Sequence, residues 1–444
     1  MDHNKAECTP LFGTDGIRGL VGISPFTRNH IIHLADTIAG WLLAKSPHPH
    51  VLILHDTRSS CDWIKAALKT SFLSHGIAVH DAGILPTPAA MHLLKTHPLD
   101  YAFIISGSHN PGQYNGIKIM SPRGKITTIE EDIITKAFIE ACAGNTNPPC
   151  PNYQQLERVH THTQAAEEYI KSVCSHFSPD LLCGKKIIID CGYGATATVV
   201  QSIFKRLGAN IIALNTTPNG TNINQQVGSL YPHTLQTVVC QENAYAGFAF
   251  DGDGDRVIAV TQEGNIKDGD DMLAMLSQHA DYAHQRIIAG TVMSNSGLEQ
   301  FLTAHGKQLY RTSVGDRHIA AYLNQHNYIL GGEPSGHIIL NDIIPAADSI
   351  STALRLLEYI DHSGNLSMQT FEKSPQMLTN IRITNVDLQA IEQLTQEYRC
   401  TNPHPRILIR KSGTEPVLRI MVEAPSQEEA QELTNVLVQK IKHM

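Results

Sequence analysis

The sequence predicts an α/β protein of several domains that ends in a smaller α+β domain. Three observations predict this fold. The chain has 444 residues, which exceeds what one hydrophobic core supports and suggests roughly three or four domains. Over its first 250 residues it repeats a short apolar strand, a polar turn and an amphipathic helix. Beyond residues 361–370 the order changes to a strand, a helix, two strands and a final helix.

Short apolar runs mark the strands of the repeated part. They are continuous rather than alternating, which indicates parallel sheets covered on both faces. One predicted helix follows the first run, with Ile64, Ala67, Leu68 and Phe72 on one face, and another ends at Gly208. The predicted strands lie within 51–57, 101–110, 185–192, 245–256 and 286–294.

Two segments are candidate domain boundaries. The Pro-rich segment 143–153 interrupts the repeated pattern and is typical of a linker. The segment 361–370 precedes the α+β tail, whereas composition does not locate the boundary near the acidic loop 251–256 well. The predicted domains are residues 1–155, 156–252, 253–366 and 367–444.

Composition and charge restrict the classes of partner. With 42% hydrophobic and 17% charged residues the chain is typical of globular proteins. A net charge of −8 disfavours nucleic acid and anionic membranes. A phosphorylated substrate would therefore need a local basic pocket.

Cysteine usage and hydropathy favour a cytoplasmic location. The nine Cys form no CxxC pair, which is simplest to read as reduced thiols. The N-terminus lacks the apolar core of a signal peptide, and the most apolar helical stretch, 31–44, is too short to cross a bilayer. The 24 His are scattered. Pairs such as His160 and His162 are expected to sit in water, without a metal.

Three carboxylates follow the strand that ends near residue 250. Asp251, Asp253 and Asp255 lie within five residues, separated by glycines that permit an unusual backbone path. Two such charges 4 Å apart repel by roughly 4 kcal/mol near a protein surface. A bound divalent cation would relieve that repulsion, and hard oxygen ligands suit Mg²⁺. The alternative is an Asp/Gly turn that solvates its charges.

Ser108 follows another buried strand. By itself such a serine is more typical of a helix cap than of a nucleophile, and the GxSxG pattern is not met. Its neighbours favour chemistry: Asn110-Pro111 forces a turn, Gly112 and Gly116 are expected to keep the loop open, and Lys118 ends the segment. A Ser near a metal site and a Lys suits phosphoryl transfer.

Two further loops supply what a phosphosugar needs. The loop 331–337 offers Glu333 and Ser335 to sugar hydroxyls, with His337 able to move a proton near neutral pH. The loop 410–416 combines cationic side chains, hydroxyls and a glycine, a composition that cradles phosphate. Its alternative interpretation is a polar hairpin.

Taken together, these loops resemble the α-D-phosphohexomutase superfamily over essentially the whole chain. That resemblance implies three similar α/β domains with mixed or parallel sheets and a smaller C-terminal α+β domain around a central active-site cleft. It also implies one Mg²⁺ per subunit, a phosphosugar substrate and a hexose 1,6-bisphosphate (glucose or glucosamine) as activator and intermediate. The motifs that carry it are "FGTDGIRG" (12–19), "DTR" (56–58), "GILPTPA" (83–89), "SGSHNPGQYNGIK" (106–118), "DGDGDR" (251–256), "GGEPSGH" (331–337) and "RKSGTEP" (410–416).

The resemblance assigns roles residue by residue. Ser108 matches the serine that carries the phosphoryl group. Ser108 and the three aspartates of the acidic loop match the Mg²⁺ ligands. Around the transferring phosphate it places Arg18, His109, Lys118 and Arg256, with Lys118 a candidate general base or acid. Glu333 and Ser335 match sugar contacts, with His337 beside them. The non-reacting phosphate is assigned to Arg410, Ser412, Gly413 and Thr414.

Within the superfamily, residues 12–19, 313–317 and 410–423 resemble the phosphoglucosamine mutase branch. That branch interconverts glucosamine 6-phosphate and glucosamine 1-phosphate on the route to UDP-N-acetylglucosamine and cell-wall precursors. The alternative within the superfamily is a phosphomannomutase/phosphoglucomutase.

The sequence departs from the superfamily pattern at two places: "PAADSI" (345–350) keeps only Asp348 of a usual Gly-Asp-Gly stretch, and the "DTR" motif lacks flanking glycines. A homodimer is left open.

Three rival functions remain from the residues alone. The glycines of "DCGYGATA" (190–197) weakly match a dinucleotide-binding turn, but Asn215 stands where a ribose-binding acid is expected. Asp251 and Asp253 form a strand-terminal DxD, as in aspartyl-phosphate phosphatases. A silent sugar-phosphate binder is the third rival, since fold resemblance alone does not establish chemistry.

Overall fold

A computed structural model of the protein describes residues 11–144, 156–382, 388–401, 405–411 and 417–442. Within these ranges the chain forms four β-sheets, three of them flanked by helices and the fourth a small antiparallel sheet. The predicted α/β class is confirmed. The predicted linker 143–153 lies almost entirely outside the described residues.

The first unit is built on a mixed sheet with the strand order β1-β2-β6-β5-β3-β4-β8, in which β7 pairs with β6. Its strands are β1 Phe12–Gly13, β2 Gly16–Leu20, β3 His50–His55, β4 Ala78–Ile84, β5 Tyr101–Ile105, β6 Tyr114–Ser121, β7 Gly124–Lys125 and β8 Val159–Thr161. Its helices are α1 Arg28–Lys45, α2 Ser60–Ser74, α3 Thr87–Thr96 and α4 Thr128–Cys142.

Alternate residues of β3 show that this sheet is covered on both faces. Leu52 and Leu54 belong to one buried cluster, and Val51 and Ile53 belong to another. The sheet is parallel only from β5 through β3 and β4 to β8, since β6 runs antiparallel to β5. The sheet is therefore mixed, which agrees with the predicted class of mixed or parallel sheets.

The second unit has the strand order β10-β9-β11-β12-β13. Its elements are α5 Ala165–Cys174, β9 Lys186–Asp190, α6 Val200–Arg206, β10 Asn210–Leu214, α7 His233–Gln241, β11 Ala246–Phe250, β12 Val257–Val260 and β13 Ile266–Lys267. Since β12 pairs with β11, the sheet continues past the predicted boundary at residue 252. Likewise β8, beyond the predicted boundary at residue 155, pairs with β4 of the first sheet. The four domain ranges stay a prediction.

The third unit has the strand order β15-β14-β16-β17. Its elements are α8 Gly269–Ser277, β14 Ile287–Thr291, α9 Ser296–Ala304, β15 Gln308–Thr312, α10 Asp316–His326, β16 Leu330–Gly332, β17 Ile338–Leu340 and α11 Ser349–Ser363. Asp348 is the one residue that remains of the usual Gly-Asp-Gly stretch. It caps α11 by accepting hydrogen bonds from the Ile350 and Ser351 N–H groups. One carboxylate thus starts this helix without the flanking glycines.

The fourth unit is an antiparallel sheet with the order β18-β20-β19 and two helices, as the tail pattern predicted. Its elements are β18 Gln376–Arg382, α12 Leu388–Thr401, β19 Arg406–Lys411, β20 Val417–Glu423 and α13 Gln427–Lys442. Arg406 attaches it to the third unit by donating to the carbonyl oxygens of Val292 and Ser294, each at 2.7 Å. Within the described ranges, no helix combines the length and apolar character that a membrane crossing requires.

Candidate active site

Ser108 lies in the loop that leaves β5 and is fully buried. Its hydroxyl donates to Asp251 Oδ2 at 2.8 Å and lies 3.3 Å from His109 Nδ1. Its backbone has φ of 50°, in the left-handed region that favours glycine. The next regular element is the strand β6, so Ser108 does not cap a helix, and the capping alternative is wrong.

Arg58 holds the Ser108 loop in this conformation. Its guanidinium donates to the carbonyl oxygens of Ser108 at 2.8 Å, Asn110 at 2.7 Å, Pro111 at 2.5 Å and Tyr114 at 2.9 Å. A buried ion pair fixes the guanidinium in turn, because its Nε lies 2.9 Å from the Asp56 carboxylate. Five donors in a rigid fork make arginine suited to clamping a folded loop.

Glycine permits the close backbone approach beside this loop. Gly116 lies within β6 rather than in an open loop, and a Cβ there would meet the carbonyl oxygens of Ser106 and Ile17. Gly112 packs against the carbonyl of Thr221, where a side chain would also collide. The expectation that Gly112 and Gly116 keep the loop open is therefore wrong, since both allow tight packing.

Asp251, Asp253 and Asp255 form a buried acidic cluster at the end of β11. Each offers a carboxylate oxygen, and these oxygens lie within 4.8 Å of one another. All three residues are at most 3% exposed, so the alternative of a solvated turn is wrong. Burial, then Asp255 and Asp253, raise the pKa of Asp251 well above its usual value.

This cluster fits a hard divalent cation. Within the described chain, Asp253 Oδ1 and Asp255 Oδ1 are buried without a hydrogen-bond partner. Mg²⁺ prefers oxygen ligands, and Ser108 adds a fourth oxygen beside Asp251. The predicted ligand set of Asp251, Asp253, Asp255 and Ser108 is thus brought together.

The glycines of residues 190–197 pack against the acidic loop. A Cβ on Gly194 would collide with Gly252, and Ala195 N–H donates to the Gly252 carbonyl at 2.8 Å. On its other side a Cβ on Gly252 would meet the Ser108 carbonyl. These contacts account for the glycine pattern by packing alone, which removes the basis of the dinucleotide-binding interpretation.

Lys118 lies on β6 and joins the acidic cluster. Its Nζ is 2.6 Å from Asp255, 2.8 Å from Asp253 and 2.9 Å from Asp15. Burial alone would lower the pKa of Lys118, but these three carboxylates raise it well above its usual value. Lys118 is therefore an ammonium ion here, which suits a cation or proton donor and disfavours the role of general base.

His337 and His109 have opposite protonation states. Burial lowers the pKa of His337, but the carboxylates of Asp316 and Asp255 outweigh burial and raise it to about 10. The expectation that His337 titrates near neutral pH is therefore wrong. Burial, then Arg256 and other cations, lower the pKa of His109 to about 3. The imidazole next to Ser108 is consequently neutral.

Two arginines border this centre. Arg18 forms an ion pair with Asp15, which also contacts Lys118. Arg256 Nε lies 3.9 Å from Asp255 Oδ1, and its backbone N–H donates to Asp251 Oδ1 at 3.2 Å. Both predicted residues therefore lie beside the acidic cluster.

The predicted sugar loop turns between β16 and β17 and packs against the acidic loop. A Cβ on Gly336, which has φ of 86°, would collide with the Val257 carbonyl, and the Val257 N–H donates to the Gly336 carbonyl at 3.2 Å. Glu333 Oε1 accepts from the Gly315 N–H at 3.0 Å. Ser335 Oγ is buried and has no hydrogen-bond partner within the described chain, which leaves a hydroxyl available to a ligand.

Arg410 faces Arg419 across the β19–β20 pair. Burial, then the nearby Arg419, lower the pKa of Arg410, and the Glu333 carboxylate opposes this shift. Two adjacent guanidinium groups near the sugar loop favour an anion. Ser412, Gly413 and Thr414 lie outside the described residues. The antiparallel pairing of the flanking strands suits both a hairpin and a phosphate loop.

Sequence reasoning missed several residues that support the centre. Arg58 and Asp56 stand in the quoted "DTR" motif, and Asp15 stands in "FGTDGIRG", but none was assigned a role. Thr87, in "GILPTPA", donates its hydroxyl to Asp253 Oδ2 at 2.6 Å. Asp316, in "SVGDR", lies 3.1 Å from His337 Nε2. The one signal that could have found these residues is that each lies in a sequence motif shared with the superfamily. Their residue types and spacing alone do not indicate a role.

Comparison with known proteins agrees with the fold. Families described as phosphoglucomutase/phosphomannomutase alpha/beta/alpha domains I, II and III match residues 9–142, 167–264 and 268–377, and the C-terminal domain family matches 378–440. The chain belongs to the phosphoglucomutase/phosphomannomutase family. It is thus an enzyme of the isomerase class, an intramolecular phosphotransferase.

Individual relatives refine this assignment. A phosphoglucosamine mutase of Psychrobacter sp. (strain PRwf-1) is 37% identical over 447 residues, covering 98% of this chain and 99% of the relative. One of Moorella thermoacetica is 38% identical over 439 residues, covering 95% and 97%. A phosphoglucomutase/phosphomannomutase family protein of Burkholderia thailandensis shares the fold, with a TM-score of 0.81, 22% identity and 98% of each chain covered. The predicted resemblance is confirmed.

Proposed function

We propose that this enzyme is a phosphoglucosamine mutase, which interconverts glucosamine 6-phosphate and glucosamine 1-phosphate through a phosphorylated Ser108 and a sugar 1,6-bisphosphate. The observation that carries the proposal is the Ser108 hydroxyl, which is buried and 2.8 Å from the acidic cluster. The choice of an amino sugar rests on the phosphoglucosamine mutases that match nearly the whole chain.

In the proposed transfer, the bond between phosphorus and Ser108 Oγ breaks as a bond forms to a sugar hydroxyl oxygen. The protonated Lys118 and His337 supply positive charge to the phosphoryl oxygens. The sugar hydroxyl gives up its proton in this step, and we assign the acceptor to a phosphoryl oxygen, because a pKa of about 3 makes His109, 3.3 Å from Ser108 Oγ, too weak a base. Bound Mg²⁺, held by the three aspartates and Ser108, would supply Lewis-acid polarisation of the phosphoryl oxygens.

The second phosphate needs its own site. We assign it to Arg410 with Ser412, Gly413 and Thr414, and we assign the sugar hydroxyls to Glu333 and Ser335. Two observations support this assignment: the Ser335 hydroxyl has no hydrogen-bond partner among the described residues, and Arg410 lies near the Arg419 guanidinium. Both phosphates of the bisphosphate must reach Ser108 in turn, so the intermediate reorients between the two transfers.

The competing chemistry is an aspartyl-phosphate phosphatase that uses Asp251. The geometry disfavours it, because Asp251 accepts the Ser108 hydroxyl and the backbone N–H groups of Asp255 and Arg256. Within the family the alternative substrate is a mannose or glucose phosphate. Recognition of one substituent at C2 contributes only about 1–3 kcal/mol of discrimination in an apolar pocket.

A single assay tests the proposal. Turnover of the 6-phosphates of glucosamine, glucose and mannose is measured with a 1,6-bisphosphate activator and Mg²⁺. We expect the highest kcat/KM for glucosamine 6-phosphate and no turnover in excess EDTA. Preference for glucose or mannose phosphate would contradict the proposed substrate, and full activity in EDTA would contradict the metal assignment. The cytoplasmic location, the homodimer and the absence of nucleic-acid or membrane partners stay predictions.

A further inference from the structure

Histidines gather at one end of the first sheet. His50, His80 and His160 lie on the neighbouring strands β3, β4 and β8. The rings of His80 and His160 stack with centroids 5.0 Å apart, and His50 Nδ1 lies 3.3 Å from His80 Nε2. His97 ends α3 just before β5 begins, whereas Ser108 follows the other end of β5. This patch is therefore remote from the acidic cluster.

Two more histidines and a glutamate form a compact trio beside this row. His97 Nε2 lies 2.7 Å from Glu168 Oε2, and His162 Nε2 lies 3.3 Å from Glu168 Oε1. The two rings are nearly perpendicular, at 89°, with centroids 4.8 Å apart. We infer that His97, His162 and Glu168 form a binding site for a divalent transition-metal ion such as Zn²⁺, which replaces the expectation from the sequence that His162 binds no metal.

The donor set selects the class of metal. Two imidazole nitrogens and one carboxylate oxygen suit Zn²⁺, whereas Mg²⁺ prefers oxygen alone. Ligand atoms about 2.1 Å from a tetrahedral ion lie roughly 3.4 Å apart. Glu168 Oε2 lies 2.7 Å from His97 Nε2 and 3.2 Å from His162 Nε2, and the three potential ligand atoms lie within 4.8 Å of one another, which is close to that spacing. The side chains are 33%, 15% and 36% exposed for His97, His162 and Glu168, which leaves an entry path and a fourth position.

A second trio shows why this one is the better site. His279, Asp281 and Glu358 also bring three potential ligand atoms within 4.8 Å. There, however, the Arg355 guanidinium lies 2.7 Å from both carboxylates and already neutralises them. Within the described residues, Glu168 contacts His97 and His162 and forms no ion pair with a Lys or Arg. Its charge is therefore available to a metal ion.

The trio spans the junction between the first two units. His97 follows α3 of the first unit, His162 lies between β8 and α5, and Glu168 lies in the first turn of α5. The family's domain I match ends at residue 142, and its domain II match begins at residue 167. An ion bound here would hold α3 against α5, which is a stabilising role separate from phosphoryl transfer.

The test is a Zn²⁺ titration of the full-length enzyme, stripped of metal and then given excess Mg²⁺ to occupy the oxygen site. We expect wild type to bind one equivalent of Zn²⁺ and to gain thermal stability. His97→Gln and Glu168→Gln should each weaken Zn²⁺ binding by more than about 10-fold and abolish the gain in Tm. Replacing Zn²⁺ with Co²⁺ gives a second readout, because loss of an imidazole ligand changes the visible spectrum.

Two control variants each lose one histidine, as His97→Gln does, but outside the proposed site. His50→Gln removes a histidine of the row, and His279→Gln removes one from the trio that Arg355 neutralises. Both should bind Zn²⁺ as wild type does, and mutase turnover in Mg²⁺ should report that every variant is folded. Equal Zn²⁺ affinity in wild type, His97→Gln and Glu168→Gln would overturn the inference. Loss of the site in His50→Gln or His279→Gln with retention in the other variants would overturn it as well.

Discussion

Ser108 combines a reactive position with a backbone conformation that few side chains adopt. Its φ of 50° and its full burial are imposed by neighbours, chiefly the four carbonyl contacts of Arg58. Strained backbone of this kind costs about 1–3 kcal/mol and persists when the surroundings over-determine it. At the residue scale, Ser108 should therefore matter for chemistry and Arg58 for the loop.

Ser108→Ala should reduce mutase turnover below about one-thousandth of wild type, because the substitution removes the proposed phosphoryl carrier. The fold should persist, as circular dichroism would verify. Ser106→Ala is the matched control, since Ser106 Oγ supports the loop by accepting from the Ser108 N–H at 2.8 Å. That variant should still acquire phosphate from a sugar bisphosphate, measured by intact-protein mass spectrometry. Near-normal turnover of Ser108→Ala would remove Ser108 from the mechanism.

Arg58→Met should destabilise the protein by about 3 kcal/mol or more, because it leaves the Asp56 carboxylate buried without its partner. Urea unfolding of wild type and variant measures the difference. Arg206→Met serves as the control, since Arg206 pairs with Glu167 at the surface and its loss should change stability little. If the two variants were equally stable, the clamp assigned to Arg58 would be wrong.

At the scale of elements, the centre is assembled from loops that follow strands. The loops after β5 and β11 and the turn between β16 and β17 meet, and glycines permit each contact. The strands that precede these loops were predictable, because each is a short apolar run between polar segments. Strand β6 was not, since Asn115 and Gly116 are typical of loops. Tertiary contacts explain both: Asn115 Nδ2 donates to Ser60 Oγ at 2.8 Å, and a Cβ on Gly116 would collide with neighbouring carbonyl oxygens.

Helix α8 starts with an acidic turn that has an energetic consequence. Burial, then Asp268, raise the pKa of Asp270 to about 7. A carboxyl whose folded-state pKa is raised stabilises the fold fully only below its unfolded value, near 4, and that stability is lost as the pH rises towards 7. Above pH 7 the loss is complete, because the group is then ionised in both states.

Asp270→Asn should therefore become more stable relative to wild type as the pH rises from 5 to 8, by roughly 1–4 kcal/mol. Asparagine keeps an oxygen acceptor for the Asn295 N–H, which now donates to Asp270 at 2.7 Å. Urea unfolding of both proteins at pH 5 and pH 8 measures the change. An equal difference in stability at the two pH values would show that Asp270 is ionised throughout.

At the scale of the whole molecule, the site exists only because four units converge. Ser108 and Lys118 come from the first unit, the aspartates from the second, and His337 and Glu333 from the third. The fourth unit brings Arg410 within electrostatic reach of Glu333. The resemblance implied this convergence, but the spacing of motifs along the chain gives no distance between them. The protonation states of Lys118 and His337 likewise depend on Asp15 and Asp316, which come from other loops.

Arg410→Ala should weaken the apparent affinity for the phosphosugar by roughly 10- to 100-fold, since a hydrogen bond to a charged group contributes about 1.5–3 kcal/mol. The melting temperature should change little. Steady-state KM values for variant and wild type give the measurement. Arg382→Ala, an exposed position on β18 of the same sheet, is the control and should leave KM unchanged. An unchanged KM for Arg410→Ala would favour the simple hairpin.

The anchoring of the Ser108 loop by Arg58 has a consequence for how a bisphosphate is handled. Arg58 binds four backbone carbonyls of this loop, so the Ser108 hydroxyl oxygen is not free to follow a departing sugar. Any half-turn between the two transfers must then be made by the small molecule, or by the fourth unit that grips its far end.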